Sequence, residues 1–420
     1  CACLVGSEMC IRDRTQAVAG DYVHQVNTLI GTKGTGLTSG YLYPGATYPY
    51  GMVQFTPSYF SKRSGFVINQ LSGGGCEHMG NFPTFPVKGK LKMSPDNILN
   101  YRINVSEEKG HAGYYEAMVQ EDIKAKLTVT ERTGMASYEY PADQQYGTII
   151  IGGGISATPI EQAAIVITAP NKCEGYAEGG NFCGLRTPYK VYFVAEFDTD
   201  AFETGTWKRE ELMPNTTFAE GEYSGVYFTF DVNKKKNIQY KIGVSYVSVE
   251  NARENLKAEN AEWDFQKIQN QAEAKWNHYL GMIEVEGTNP DRTTQFYTHL
   301  YRSFIHPNVC SDVNGEYMGA DFRVHKSRSK HYTSFSNWDT YRTQIQLLSM
   351  LDPEVASDIV VSHQLFAEQS GGSFPRWVMA NIETGVMQGD PTPILIANAY
   401  AFGARNYDPK PISVSYTHLR

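Results

Sequence analysis

The sequence predicts an antiparallel β-sandwich at the N-terminus, followed by a helical linker and a helical domain. Short alternating apolar runs rich in Val, Ile, Tyr, Phe and Thr occupy residues 20–250, with few helical patterns between them. This favours two antiparallel sheets over parallel βαβ units. From residue 250 onward, apolar residues recur at three- and four-residue spacing, which is typical of amphipathic helices.

The strand predictions come first along the chain. Runs with period two are bounded by Gly, Pro or Asn, and each has the length of a single strand. The clearest runs are residues 125–130, 147–151, 189–197, 225–230 and 240–247. Because half of each run is apolar, the sheets should bury one face against each other, as in a sandwich spanning residues 20–250.

The helical predictions follow. Residues 251–285 carry apolar side chains at helical spacing, so one long or two consecutive helices should form a linker. In residues 286–412 we expect helices over 293–306, 341–351, 353–366 and 393–403. Pro307 ends the first of these, and Pro353 is suited to the first position of the third.

Charge and hydropathy limit the possible partners. The 420 residues include 45 acidic and 37 basic side chains, giving a net charge of -8, and Lys234–Lys236 form the longest basic block. A nucleic-acid or anionic-membrane surface is therefore not expected. No stretch approaches the roughly 20 apolar residues of a transmembrane helix.

The two ends differ in character from the rest. Residues 1–14 and 413–420 resemble translated sequencing adapters, so we expect both to be non-native and the natural sequence to continue past the end of the fragment. Just after the first of them, Ala17-Val18-Ala19 has the small-x-small pattern of a signal-peptidase site. This pattern predicts export.

Cysteine spacing gives a weaker indication. When Cys1, Cys3 and Cys10 are set aside with the adapter-like end, Cys76, Cys173, Cys183 and Cys310 are left. No CxxC spacing points to zinc, whereas Cys173 and Cys183 would close a short loop in an oxidising compartment. A disulfide between them and two free thiols are alternatives that the spacing leaves open.

Candidate functional residues lie in loops, where binding residues concentrate. Trp338 and Asp339 open a predicted helix: Asp339 is either a capping residue, or it binds two sugar hydroxyls beside a Trp338 platform. Downstream, Asn381, Glu383 and Asp390 lie in a loop rich in Gly. Glu383 and Asp390 suit an acid/base pair, Ca²⁺ ligation or plain loop hydrogen bonding.

A third loop belongs to the sandwich. It contains Gly73, Gly74 and Gly75 followed by Cys76, Glu77 and His78. Glu77 and His78 are candidates to meet a ligand in a cleft between the two domains. A nucleophilic Cys76–His78 pair is disfavoured, because alternate residues of an extended segment do not face each other in the required way.

Several motifs resemble one family. YPGATYPYGMVQFTP, LSGGGCEHMG, FYTHLYRSFIHPN, FSNWDTYRTQ and ETGVMQGD occur in order across residues 26–408, and together they resemble the glycoside hydrolase family 92 α-mannosidases. The resemblance implies a β-sandwich, a helical linker and an (α/α)6 toroid, of which the chain would hold about the first third. It also implies calcium-dependent, inverting, exo-acting hydrolysis of terminal α-linked mannose, with mannose-containing glycans as substrates and a bacterial, exported protein.

The resemblance also assigns roles to residues. Trp338 and Asp339 match the Trp-Asp that lines the terminal mannose subsite, and Asn381, Glu383 and Asp390 match residues that support that pocket. Glu77 and His78 lie in the loop that faces the leaving sugar. The catalytic acid, the base and most Ca²⁺ ligands would lie beyond residue 420, so no catalytic residue is expected in this chain. It should be inactive alone.

The same motifs bear on the linkage that would be hydrolysed, and they leave two other functions as alternatives. Pro391-Thr392 replaces the His-Ala of many members, which bears on linkage, and an α-1,2 bond is the first expectation. A carbohydrate-binding protein without hydrolysis, or another sandwich-plus-toroid hydrolase or phosphorylase, are the alternatives.

Overall fold

A computed structural model of the protein describes residues 20–32, 40–58, 65–96, 105–410 and 412. Both adapter-like ends and the small-x-small site at 17–19 lie outside the described residues. A short 3₁₀ turn, Val23–Gln25, comes first along the described chain. Among the described residues, no helix is long and apolar enough to span a membrane.

Strands dominate the N-terminal part, as the alternating pattern predicts. In chain order they are β1 (Ala46–Thr47), β2 (Gln54–Pro57), β3 (Phe66–Val67), β4 (Thr84–Lys88), β5 (Val105–His111), β6 (Tyr114–Val119), β7 (Ile123–Val129), β8 (Thr133–Glu139), β9 (Tyr146–Ile151), β10 (Ile160–Ala169), β11 (Lys172–Phe182), β12 (Leu185–Phe197), β13 (Glu203–Lys208), β14 (Glu211–Pro214), β15 (Phe218–Glu220), β16 (Ser224–Asp231) and β17 (Asn237–Ser245). All five runs singled out in the sequence overlap strands.

The strands form two large antiparallel sheets. One has the order β1-β2-β3-β4-β9-β16-β13-β14, and the other has the order β15-β10-β11-β12-β17-β8-β7-β6-β5. Apolar side chains of both sheets share one buried core. Across it, the Phe197 and Phe228 rings lie 4.8 Å apart, and the Phe66 and Tyr138 rings stack at 6.3 Å. This packing confirms the predicted mostly-β N-terminal domain.

The linker consists of two helices, α1 (Val249–Glu259) and α2 (Phe265–Leu280). The Ser248 and Asp264 side chains cap them by accepting hydrogen bonds from the amides of Asn251 and Lys267. Helix α1 packs closely on β17, because Gly243 has no side chain: a Cβ there would lie 2.4 Å from the Ala252 carbonyl oxygen.

Helices dominate the C-terminal part as predicted, with three small sheets between them. The elements are α3 (Pro290–Ser303), β18 (Asn308–Val309), β19 (Glu316–Met318), β20 (Val324–Lys326), β21 (Tyr332–Thr333), α4 (Asn337–Thr340), α5 (Gln344–Leu351), α6 (Pro353–Gln369), β22 (Val378–Met379), β23 (Ile382–Glu383) and α7 (Thr392–Ala401). β18 pairs with β21, β19 with β20, and β22 with β23. The helical periodicity did not reveal these two- and three-residue strands, which are too short to show an alternating pattern.

The sandwich and the helical part are in extensive contact. Val23, Tyr43 and Tyr50 precede most of the sandwich strands, yet they are buried in the apolar cluster of the helical part. The Trp276 indole donates to the carbonyl oxygen of Thr47 at 2.7 Å. The start of the range assigned to the sandwich therefore packs against the helices.

A buried ion-pair network joins the same parts. The Arg132 guanidinium in the β7–β8 turn lies 2.5 Å from Glu131 and 2.6 Å from Glu259 at the end of α1. Its Nε donates to the carbonyl oxygen of Ser311 at 2.7 Å. These contacts join the sandwich, the linker and the helical part, and removal of one partner would leave a buried charge uncompensated.

The disulfide differs from the sequence expectation. Cys183 bonds to Cys76, whereas Cys173 is a buried free thiol and Cys310 is another. The proposed Cys173–Cys183 bridge is wrong because Cys173 faces the sandwich core from within β11, while Cys183 lies in the tight turn after that strand. Spacing along the chain cannot show that the loop at residue 76 reaches this turn.

Candidate functional site

A cavity of about 470 Å³ lies where the sandwich meets the helical part. One wall is the loop 71–76 and the β11–β12 turn. The opposite wall is formed by residues of helices α3, α4, α5, α6 and α7 and of the loops between them. A cleft between two domains is a common position for a small-molecule site.

The sandwich wall is a glycine loop held by a buried histidine. The His78 Nε2 accepts a hydrogen bond from the Leu71 amide at 2.8 Å, and its Nδ1 donates to the Cys76 carbonyl oxygen at 2.7 Å. Gly73 adopts φ +85°, where a side chain would be strained, and a Cβ on Gly74 would lie 2.9 Å from the His78 ring. The glycines let this loop close around the imidazole.

The disulfide fastens the loop to the next part of the wall. Cys76 and Cys183 both line the cavity. Beside Cys183, the Phe182 ring packs on the buried Trp377 indole with centroids 4.5 Å apart. This aromatic contact connects the sandwich wall to the loop before β22 in the helical part.

The helical wall carries a basic and two polar side chains. Arg302 donates from its guanidinium to the carbonyl oxygens of Tyr43 and Thr28, at 3.1 and 2.7 Å. His306 accepts the Ser72 amide at Nε2 and donates from Nδ1 to Asn308 Oδ1, both at 2.8 Å. Gln344 donates to the His306 carbonyl oxygen at 3.0 Å.

Asp339 lines the cavity at its rim. It is exposed and lies inside the short helix α4, where its carboxylate accepts a hydrogen bond from the Ser336 hydroxyl. The alternative that Asp339 caps a helix is wrong, since it lies in the third position of α4 and the next helix begins at Gln344. Its carboxylate is oriented and open to a ligand.

The neighbours of Asp339 differ in exposure. Trp338 is 37% exposed, with the Arg342 guanidinium 4.7 Å from its ring centroid; it is not among the residues that line the cavity. Asn337 is buried, and its side chain joins Pro375 O, Thr392 Oγ1 and His363 Nε2 at 2.8–3.1 Å. Through these hydrogen bonds, the buried Asn337 side chain holds the first residue of α4 in position.

The Glu383 carboxylate stabilises the loop in which it lies. Its carboxylate accepts hydrogen bonds from the amides of Arg376, Trp377 and Gly385 at 2.6, 3.2 and 3.0 Å. Asn381 donates to the Gly319 carbonyl oxygen at 3.0 Å. Asp390 is exposed. For Glu383, these contacts are the loop hydrogen bonding that the sequence left as an alternative, and they position Trp377 against the cavity.

Of the seven binding residues predicted from the sequence, only Asp339 is part of the cavity lining. His78 lies directly behind that lining, and Glu77 is exposed beside it. Glu383 acts through the Trp377 loop. The lining residues Arg302, His306, Gln344 and Trp377 were not predicted as site residues, although all but Trp377 lie in the motifs FYTHLYRSFIHPN and FSNWDTYRTQ. Their roles depend on long-range contacts that no local pattern reveals.

The histidines of the cavity wall predict a stability that depends on pH. Burial lowers the pKa of His78 and of His306 from 6.5 to about 4. Between pH 6.5 and 4 the unfolded chain therefore binds more protons than the folded chain, so stability should decrease as pH falls. For His78, 1% exposed, the loss approaches about 3 kcal/mol at pH 4.

Urea unfolding at several pH values checks this expectation. The pH dependence should become shallower in His78→Gln, and His299→Gln, at an exposed position of α3, should retain the wild-type profile. An unchanged profile in His78→Gln would show that this imidazole is not the titrating group.

Two family models match the chain. The glycosyl hydrolase family 92 N-terminal domain matches residues 25–245, and the glycosyl hydrolase family 92 catalytic domain matches residues 251–416. Together they cover both the sandwich and the helical part. The first model ends with β17, and the second begins within the first turn of α1.

Solved structures agree with these matches. A family GH92 alpha-mannosidase from Bacteroides thetaiotaomicron, also solved with mannoimidazole, is 25% identical with a TM-score of 0.86, over 95% of this chain and 56% of its own. A family GH92 inverting mannosidase from the same species is 24% identical with a TM-score of 0.83, over 96% and 56%; it shows the fold alone.

A curated relative extends the comparison to a fungus. It is described as an uncharacterized secreted glycosidase of Arthroderma benhamiae, and it is 26% identical over 367 residues, which are 77% of this chain and 46% of the relative. The chain thus spans about half the length of the relatives it matches. With both family domains matched in order and the fold shared, the chain belongs to glycoside hydrolase family 92.

Proposed function

We propose that the chain forms the terminal-mannose pocket of an exo-α-mannosidase. The observation that carries this proposal is the exposed, oriented Asp339 carboxylate at the rim of a cavity between the two family domains. A carboxylate accepts hydrogen bonds from two vicinal hydroxyls, and the neighbouring Trp338 offers an apolar ring. The complex of a family member with mannoimidazole supports a mannose-like ligand for this site.

The proposed chemistry is hydrolysis with inversion. A carboxylic acid protonates the leaving oxygen, while a carboxylate about 6.5 to 9.5 Å away activates water on the opposite face. Asp339 is the one carboxylate among the described residues that line the cavity, so this lining does not provide the required pair. We therefore expect the 420-residue chain to bind mannose without hydrolysing it, with the acid and base supplied elsewhere on an (α/α)6 toroid.

Calcium remains an expectation from the family. Ca²⁺ takes six to eight oxygen ligands, and the described lining of the cavity offers one carboxylate. These residues do not fit a calcium site by themselves. We assign no step of the reaction to the ion.

The natural substrate is proposed by class. An α-1,2-linked terminal mannose of a glycan is the first candidate, and the loop with Glu77 and His78 is proposed to face the leaving sugar. Export to the periplasm, the bacterial outer surface or the medium fits the Cys76–Cys183 disulfide, which persists in oxidising compartments.

A panel of disaccharides tests the proposal. The longest natural protein that contains residues 20–412 should release mannose from α-1,2-mannobiose faster than from the α-1,3 and α-1,6 isomers, and the 420-residue chain should release none. Each reaction is repeated with calcium and with a chelator. Release of another sugar from matched glucobioses, with none from the mannobioses, would contradict the assignment.

A further inference from the structure

A second cluster of side chains lies outside the cavity, where the 3₁₀ turn, the β5–β6 hairpin and α2 meet. His24, His111 and Glu273 each present a ligand atom there, and these atoms all lie within 4.8 Å of one another. His111 Nε2 is 2.8 Å from Glu273 Oε1, and the two imidazole rings lie 4.6 Å apart. Residues so distant in sequence converge at one point.

We infer that His24, His111 and Glu273 bind a transition-metal ion of the Zn²⁺ type. Two imidazoles and one carboxylate are a ligand set that Zn²⁺ takes, with a fourth position left for water. At ligand distances near 2.0 Å, tetrahedral donor atoms lie roughly 3.3 Å apart. The ion would take the place of the hydrogen bond between His111 Nε2 and Glu273 Oε1, with the His111 proton moving from Nε2 to Nδ1, and the exposed His24 side chain would move inward to complete the ligand set.

The exposed fractions of the three side chains agree with an inward movement of His24 alone. The side chains of His111 and Glu273 are 16% and 18% exposed, so they are held in place, whereas His24 is 54% exposed and can move. The exposed His24 side also provides a route of entry.

Outer partners orient two of the ligands. Asp21 Oδ1 lies 2.6 Å from His24 Nδ1, so Nε2 is the nitrogen that would bind the ion. Gln269 Nε2 donates to Glu273 Oε1 at 2.7 Å and fixes the carboxylate on α2. Carboxylate–histidine contacts of this kind select the ligating nitrogen in metal sites. A bound ion would thus join the N-terminal turn, the sandwich and the linker.

Titration with Co²⁺ and Zn²⁺ tests the site in the full 420-residue chain. Cys1, Cys3 and Cys10 are changed to Ser so that their thiols cannot compete. We expect one equivalent of Co²⁺ with visible d–d bands and no thiolate charge-transfer band, and a higher Tm with Zn²⁺. His24→Ala and Glu273→Gln should each weaken binding more than about 100-fold, beyond the loss typical of outer-shell changes.

Matched variants keep the result interpretable. His299→Ala removes an exposed histidine from α3 and should bind as wild type. Glu273→Gln retains a side chain of the same size, so folding, checked by circular dichroism, should be unaffected. Unchanged affinity in both His24→Ala and Glu273→Gln, or no bound equivalent in the parent chain, would overturn the inference.

Discussion

Replacement of Asp339 by Ala in the longest natural protein that contains residues 20–412 is expected to lower kcat/KM by more than about 100-fold. A hydrogen bond to a charged group contributes about 1.5–3 kcal/mol, and the carboxylate is proposed to accept two from mannose. The side chain is exposed at the rim of the cavity, so its loss should leave the fold intact. Initial rates on α-1,2-mannobiose measure the effect.

Two further variants make this result specific. Asp339→Asn keeps the size and one acceptor oxygen, so we expect a smaller loss than in Asp339→Ala. Asp143→Ala removes an exposed carboxylate from the turn after β8 and should leave kcat/KM unchanged. Near-normal turnover by Asp339→Ala would refute the role assigned to this residue.

Loss of the Cys76–Cys183 disulfide is expected to lower the free energy of unfolding by about 4 to 5 kcal/mol. The bond closes a loop with a sequence separation of 107 residues, and the chain-entropy account gives about 4.7 kcal/mol for a loop of 100 residues. Because both cysteines line the cavity, the glycine loop should also loosen. Urea unfolding of Cys76→Ser/Cys183→Ser measures the change.

Chemical reduction of the disulfide is the control for the double substitution. In a Cys1→Ser/Cys3→Ser/Cys10→Ser background, dithiothreitol should destabilise the chain that retains Cys76 and Cys183 to about the same extent as the double substitution. The same reductant should have no effect on the double variant. Identical urea midpoints for all forms would show that the bond contributes nothing.

Much of the fold could be predicted because local patterns dictate it. Alternation placed strands such as β7, β9 and β12, and helical spacing placed α2 and α6, with Pro353 at the first position of α6 as expected. The mostly-β domain followed by a helical one is confirmed. The (α/α)6 toroid stays a prediction, because the matched relatives are about twice as long as this chain.

The site was less predictable, since it depends on contacts between distant residues. Asp339 was identified, but the pairing of Cys76 with Cys183 was not, because nothing local brings the glycine loop to the β11–β12 turn. Arg302 and His306 reach the cavity only because α3 packs against the Tyr43 segment and the loop 71–76. Glu383 is the opposite case. It lies in a conspicuous motif, but its carboxylate accepts hydrogen bonds from amides of its own loop.

We propose that this chain carries the mannose pocket of an inverting exo-α-mannosidase. Proton NMR of α-1,2-mannobiose, recorded from the first minutes of incubation with the longest natural protein that contains residues 20–412, tests it most directly. The proposal predicts that released mannose appears first as the β anomer, because single displacement inverts the anomeric carbon. Mannose appearing first as the α anomer, or no mannose released, would contradict it.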